Sequence, residues 1–261
     1  MKRLLPTIAV LLFLFFEIQG VTALSDRKIA ILGDSMSWIG GDSCTNERGW
    51  TSHFKNKLKP GRIDMYARSG ATWTNAAGTR KSTESYSEVL DDDNVVFNQA
   101  LRLLEKCESD VTAKPDIIII YAGANDAWFG KRHRPGYLTT GFSGGYPTSA
   151  EACDPSDFTT LESSVGLTCS LLQNRFEDAR IILVTPVEMA KTTASNVHTV
   201  SDIIERTGKK MGLEVVRADK EVEIRNSVES KRKKYTTDGV HTNKEGARLI
   251  ADCISSYLMS D

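Results

Sequence analysis

The sequence predicts a three-layer α/β/α sandwich built on a five-stranded parallel sheet. Two patterns lead there. Apolar runs rich in β-branched residues recur at residues 28–32, 63–67, 116–122, 180–184 and 214–218, and stretches of helical periodicity lie between them. Strands that alternate with helices in this way imply parallel pairing through crossover connections. The third run contains Ile117-Ile118-Ile119-Ile120 and has no polar alternation. A strand of that kind is covered on both faces, as at the centre of a parallel sheet.

The helices follow in order. Residues 52–59 form a short one. Residues 95–108 place Val96, Ala100, Leu103, Leu104 and Cys107 on one face. Residues 161–177 and 195–211 are the next two. The last spans 243–258, where Thr242 and Glu245 form a capping-box signature and Ala247, Ile250, Cys253, Ile254 and Tyr257 form an apolar stripe. Residues 129–160 break the rhythm. They are rich in glycine and proline and have little periodicity, the mark of a functional or disordered loop. There is no internal repeat and no second domain boundary, so residues 24–261 read as a single domain.

Residues 1–23 read as a signal peptide. Lys2 and Arg3 form a basic start, residues 8–16 are continuously apolar, and Val21-Thr22-Ala23 offers small residues for cleavage after Ala23. The apolar run is shorter than the roughly 20 residues of a bilayer span. The expectation is a secreted or periplasmic protein without a stable membrane anchor. The formal net charge of −1 argues against nucleic acid as a partner. Lys231-Arg232-Lys233-Lys234 is a local basic run that reads as solvated surface. Five cysteines stand at 44, 107, 153, 169 and 253. Their odd number leaves at least one free thiol, and none has the spacing of a metal site. Cys107 and Cys253 read as buried helix residues. A disulfide among Cys44, Cys153 and Cys169 stays open.

In open α/β sheets the chemistry gathers beyond the carboxyl ends of the strands. After the first strand comes Gly33-Asp34-Ser35, and after the second Arg68-Ser69-Gly70. Gly123-Ala124-Asn125-Asp126 follows the third, and Asp238-Gly239-Val240-His241 precedes the last helix. Serine is a poor nucleophile until a base takes its proton, and the base needs a partner to fix its tautomer. Asp238 and His241 stand three residues apart, a spacing that lets the carboxylate meet the imidazole. An asparagine amide and turn N–H groups can hold a developing oxyanion. His53, His133 and His198 are poorer candidates for the base.

These four blocks, in this order over nearly the whole mature chain, resemble the GDSL/SGNH hydrolase family. The resemblance implies a flavodoxin-like SGNH hydrolase fold and a serine esterase that needs no cofactor and no metal. It makes Ser35 the nucleophile, His241 the base and Asp238 its partner. The oxyanion hole would comprise Ser35, Gly70 and Asn125. Met36 stands where the family's name has leucine, an apolar exchange of small consequence. Trp38, Trp73 and Trp128 each follow one of these residues by three positions. With Trp50, Tyr137, Phe142 and Tyr146 they offer flat faces for sugar rings. The expected substrate is therefore an O-acyl ester, acetyl above all, on carbohydrate. The alternatives are a lipase, lysophospholipase or thioesterase of the same family, or a carbohydrate-binding protein without turnover.

Overall fold

The computed structural model describes residues 24–86 and 90–260. The expected leader, residues 1–23, lies outside them. Five parallel strands form one sheet: β1 (Lys28–Gly33), β2 (Arg62–Met65), β3 (Ile117–Tyr121), β4 (Arg180–Val184) and β5 (Glu214–Val216). Their spatial order is β2-β1-β3-β4-β5. This is the flavodoxin-like doubly wound order, whose switch point lies between β1 and β3. Each predicted strand is present, within two residues at its ends. All five residues of β3 are buried, as its unbroken apolar run requires. Fully burying an isoleucine side chain is worth about 1.5–3 kcal/mol, so this strand anchors the core.

The helices divide into two layers. α1 (Ser35–Trp38) and α2 (Trp50–Leu58) follow β1, and α3 (Val96–Ser109) links β2 to β3. α4 (Ala124–His133) and α5 (Leu161–Arg175) connect β3 to β4, and α6 (Ala194–Lys210) connects β4 to β5. Two short helices, α7 (Ala218–Glu221) and α8 (Asn226–Arg232), precede the last, α9 (Lys244–Met259). Right-handed crossovers put α3, α5 and α6 on one face of the sheet and α2 with α9 on the other. The packing pairs agree: α5 touches both α3 and α6, and α2 lies along α9. α2 buries Trp50, Phe54 and Leu58 at fourfold spacing.

Three sequence expectations change. Residues 129–133, the expected start of the long loop, belong to a helix over 124–133, so the irregular connection begins only after His133. Gly130 and the polar residues of this segment mask its periodicity. The last helix is capped by Asn243, whose side chain accepts the Gly246 N–H, and not by Thr242. The Thr242 hydroxyl instead donates to the Arg48 carbonyl at 2.6 Å. All five cysteines are free. Cys169 is buried within α5, and Cys253 is half-buried with its thiol on Glu221.

Candidate active site

The site forms at the switch point, where the exits of β1 and β3 diverge. β1 ends at Gly33, whose φ of +145° and close approach to β3 exclude a side chain: a Cβ there would lie 2.0 Å from the Tyr121 carbonyl oxygen. Gln99 of α3 holds this glycine from the side. Its amide accepts the Gly33 N–H at 2.7 Å and donates to the Gly33 carbonyl at 2.8 Å. Asp34 caps α1 by accepting the Met36 N–H at 2.9 Å, and its other oxygen accepts the Ala124 N–H at 3.1 Å. One buried carboxylate thus ties the turn carrying Ser35 to the start of the helix carrying Asn125. Burial raises Asp34 to about 7 against the opposing pull of these two N–H groups.

Ser35 is the first residue of α1 and is nearly buried. Its Oγ lies 3.0 Å from His241 Nε2, and His241 Nδ1 lies 2.7 Å from Asp238 Oδ2. A carboxylate can only accept, so Nδ1 carries the proton and Nε2 is left to accept the serine O–H. Asp238 Oδ1 also accepts the N–H groups of Val240 and His241 at 2.9 and 2.8 Å. The Asp238 carboxyl lies below its ordinary value: partial burial raises it, and the bonds from His241 and Val240 outweigh that. The chain therefore brings together three groups that the sequence places near opposite ends.

Asn125 and Gly70 stand in the segments that leave β3 and β2. Asn125 Nδ2 donates to the Ala71 carbonyl at 2.8 Å, which fixes the amide and leaves its second N–H for a ligand. The Ser35 N–H, in the first turn of α1, has no intrahelical acceptor. Asp126 draws the Gly70 loop to α4. Its carboxylate accepts from the N–H groups of Trp73 and Thr74, both at 2.9 Å, and from the Thr74 hydroxyl at 2.5 Å. The arrangement can deprotonate a serine hydroxyl and receive negative charge on a neighbouring oxygen.

The aromatic residues sort differently from the sequence expectation. Trp73 is fully buried, so it has no face for a sugar. Trp50 is also fully buried and packs on Phe54 and Tyr121. Trp38 and Trp128 keep part of their surface exposed, and Trp128 stacks on Phe129 at 4.3 Å between ring centroids. Tyr137 is buried against Gly130. Phe142 and Tyr146 stack on each other at 4.8 Å and lean on Phe158, which holds the long loop to the body. His198, set aside as base, bonds Asp219 at 2.8 Å in a separate ion-pair network. Asp34 and Asp126 stood in the motifs without an assigned role, whereas Gln99 carried no sequence signal at all.

Known proteins place the chain. The model of the GDSL-like Lipase/Acylhydrolase family matches residues 31–249. No curated protein matches significantly. Among solved structures, a protein of Lactobacillus plantarum aligns with a TM-score of 0.60 at 16% identity, over 91% of this chain and 98% of the other. A lipase/acylhydrolase from Enterococcus faecalis aligns with a TM-score of 0.51 at 14% identity, over 89% and 95%. A catalytic mutant of an acetylxylan esterase from Geobacillus stearothermophilus aligns with a TM-score of 0.55 at 15% identity, over 91% and 95%. At such identities the structural likeness speaks for the fold. With most of its length matched by the family model, this chain belongs to the GDSL-like lipase/acylhydrolase family of carboxylic ester hydrolases.

Proposed function

We propose that this protein is a secreted esterase that removes short acyl groups, acetyl above all, from carbohydrate. The observation that carries the reaction is the hydrogen-bonded line from Asp238 through His241 to Ser35. Ser35 Oγ attacks the ester carbonyl carbon while His241 Nε2 takes its proton. The oxyanion is received by the N–H groups of Ser35 and Gly70 and by the Asn125 amide. His241 returns the proton to the leaving alcohol. Water, deprotonated by His241, then attacks the acyl-serine, and the acid leaves as His241 returns that proton to Ser35 Oγ. Every step uses groups of the chain and water.

Two features favour a short acyl group on a polar parent. A lipase needs a broad apolar surface to meet its substrate. Among the described residues the exposed large hydrophobics are Val111 and Met259, which lie between α3 and β3 and at the end of α9. Val111 precedes β3 and so lies at the edge of the sheet opposite the site. Trp38 and Trp128, three positions after Ser35 and Asn125, keep part of their rings exposed, and such flat faces suit the apolar face of a sugar. One structural relative bears the name acetylxylan esterase. Export rests on the leader pattern, and exported protein should begin at Leu24 on N-terminal sequencing.

The test is hydrolysis of p-nitrophenyl esters from acetate to palmitate, with acetate release from acetylated polysaccharides alongside. Acetate should be preferred, and Ser35→Ala should abolish turnover while the circular dichroism stays unchanged. An optimum at eight carbons or more would favour the lipase reading. Oligosaccharide binding without hydrolysis of any ester would favour the binding protein.

A further inference from the structure

Glu229 is an acidic residue on a short helix, outside every motif that points to the site. It is 1% exposed. A carboxylate in such a place must be satisfied by donors, because burying it bare is costly. All three donors it receives come from the segment leading into Asp238. Oε1 accepts the Tyr235 N–H at 3.0 Å, and Oε2 accepts the Thr236 N–H at 3.1 Å and the Thr236 hydroxyl at 2.6 Å. The same Thr236 oxygen accepts the Gly239 N–H at 3.1 Å. Glu229 is therefore one hydroxyl away from the turn that carries the triad carboxylate.

That turn needs outside support. Asp238 is half-exposed on its side chain, and His241 is partly so. Neither is locked by burial. Gly239 between them has a φ of +94° and rests against Ala190, whose N–H donates to the Gly239 carbonyl at 2.7 Å. Thr236 pairs with Thr242 in an antiparallel bridge, and the Thr237 N–H donates to the His241 carbonyl at 2.8 Å. The loop is a closed hairpin in which the Asp238 and His241 side chains stay partly open to solvent while the foot at Thr236 and Thr242 is buried. Glu229 holds the foot.

We infer that Glu229 is a positioning residue: through Thr236 and Gly239 it sets the pitch of the hairpin so that Asp238 stays on His241 Nδ1. It touches neither the reacting serine nor its substrate. The inference rests on the proposed use of Asp238 and His241 in ester hydrolysis, since it describes how that pair is held.

The substitution that probes it is Glu229→Gln. The shape is kept, but one oxygen becomes an NH₂ that faces donors. With p-nitrophenyl acetate, at a temperature well below melting, kcat should fall by about tenfold to a hundredfold while KM stays within about twofold. Inactivation by an organophosphate should slow in parallel, because it reports serine nucleophilicity without turnover. The downfield proton resonance of the His241–Asp238 bond should broaden or vanish. A variant that melts earlier but keeps wild-type kcat, inactivation rate and resonance would overturn the inference and leave Glu229 a core residue only. Should Glu229→Gln not fold, Thr236→Val and Thr236→Ser decide. Thr236→Val cuts the relay and should lose kcat, whereas Thr236→Ser keeps the hydroxyl and should restore it. Equal kcat in the two also overturns the inference. If the wild type hydrolyses no ester, the proposed function fails, yet the resonance still shows whether Glu229 positions the pair.

Discussion

Asn125 divides its amide between two tasks. One N–H is spent on the Ala71 carbonyl, which orients the group, and the other is the donor that the proposed mechanism gives to the oxyanion. Asn125→Ala should therefore lower kcat by roughly 10²–10³ with little change in KM, as removal of one preorganised donor does elsewhere. Steady-state kinetics on p-nitrophenyl acetate would check it, and an unchanged kcat would remove Asn125 from the oxyanion hole. Asp34 makes a different prediction. Burial lifts its folded-state value to about 7 from the ordinary 3.8. Between those values the folded chain holds a proton that the unfolded chain has released. This group's contribution to stability is thus full below about pH 4 and is lost as pH rises through about 7. Asn at this position still caps α1 but does not titrate. The melting temperature of the wild type should fall relative to Asp34→Asn between pH 4 and pH 7.5. A constant offset across that range would contradict the raised value.

At the scale of elements, a charge network ties the exits of β4 and β5 to α6 and α7. Arg217, after β5, grips Asp219 of α7 with two nitrogens, each at 2.8 Å. Asp219 also accepts from the Thr185 hydroxyl after β4 and bonds the His198 ring on α6, each at 2.8 Å. Burial raises the Asp219 carboxyl, but the bonds from Arg217, His198 and Thr185 outweigh it and hold the group at about 2. Its stabilisation is present above the ordinary 3.8 and fades as pH falls toward 2. Asp219→Ala would leave Arg217 buried with Glu205 and Asp202 as its remaining anions. The loss should be about 3 kcal/mol by urea unfolding at pH 7, and smaller near pH 2.5. The loop leaving β4 runs on to Ala190, which supports Gly239. A loss confined to stability, with kcat retained, would show that this network holds the sheet rather than the site.

At the scale of the molecule, a parallel sheet with free thiols stands on its own packing. All five cysteines are unpaired, so a disulfide's usual contribution of about 2–4 kcal/mol is absent. The melting temperature should be the same with and without dithiothreitol, and thiol titration in denaturant should find five groups per chain. A fall of several degrees in reductant would reveal a bond. The sheet order also explains where the chemistry sits. β1 and β3 are neighbours whose following segments part to opposite faces, and the gap between them receives Ser35 from one and Asn125 from the other.

The sequence by itself determined the layer architecture, because periodicity and burial are local: a run of four isoleucines has nowhere to go but a covered strand. It also determined the chemical types at the strand exits, Ser35, Gly70, Asn125 and the Asp238–His241 pair, because motif spacing survives in one dimension. What it left out has a common physical cause. The helix over 124–133 is set by its position after β3 and by its packing against α6, not by an apolar stripe of its own. The burial of Trp73 depends on Asp126 drawing its backbone inward from a loop more than fifty residues away in sequence. Gln99 and Glu229 work through hydrogen bonds to main-chain groups, which any side chain of suitable reach can make and no pattern announces. Only the tertiary structure decided which carboxylates are buried, which aromatic faces stay open, and that Ser35 and His241 meet at 3.0 Å. Those are properties of elements brought together, and distance along the chain carries no record of them.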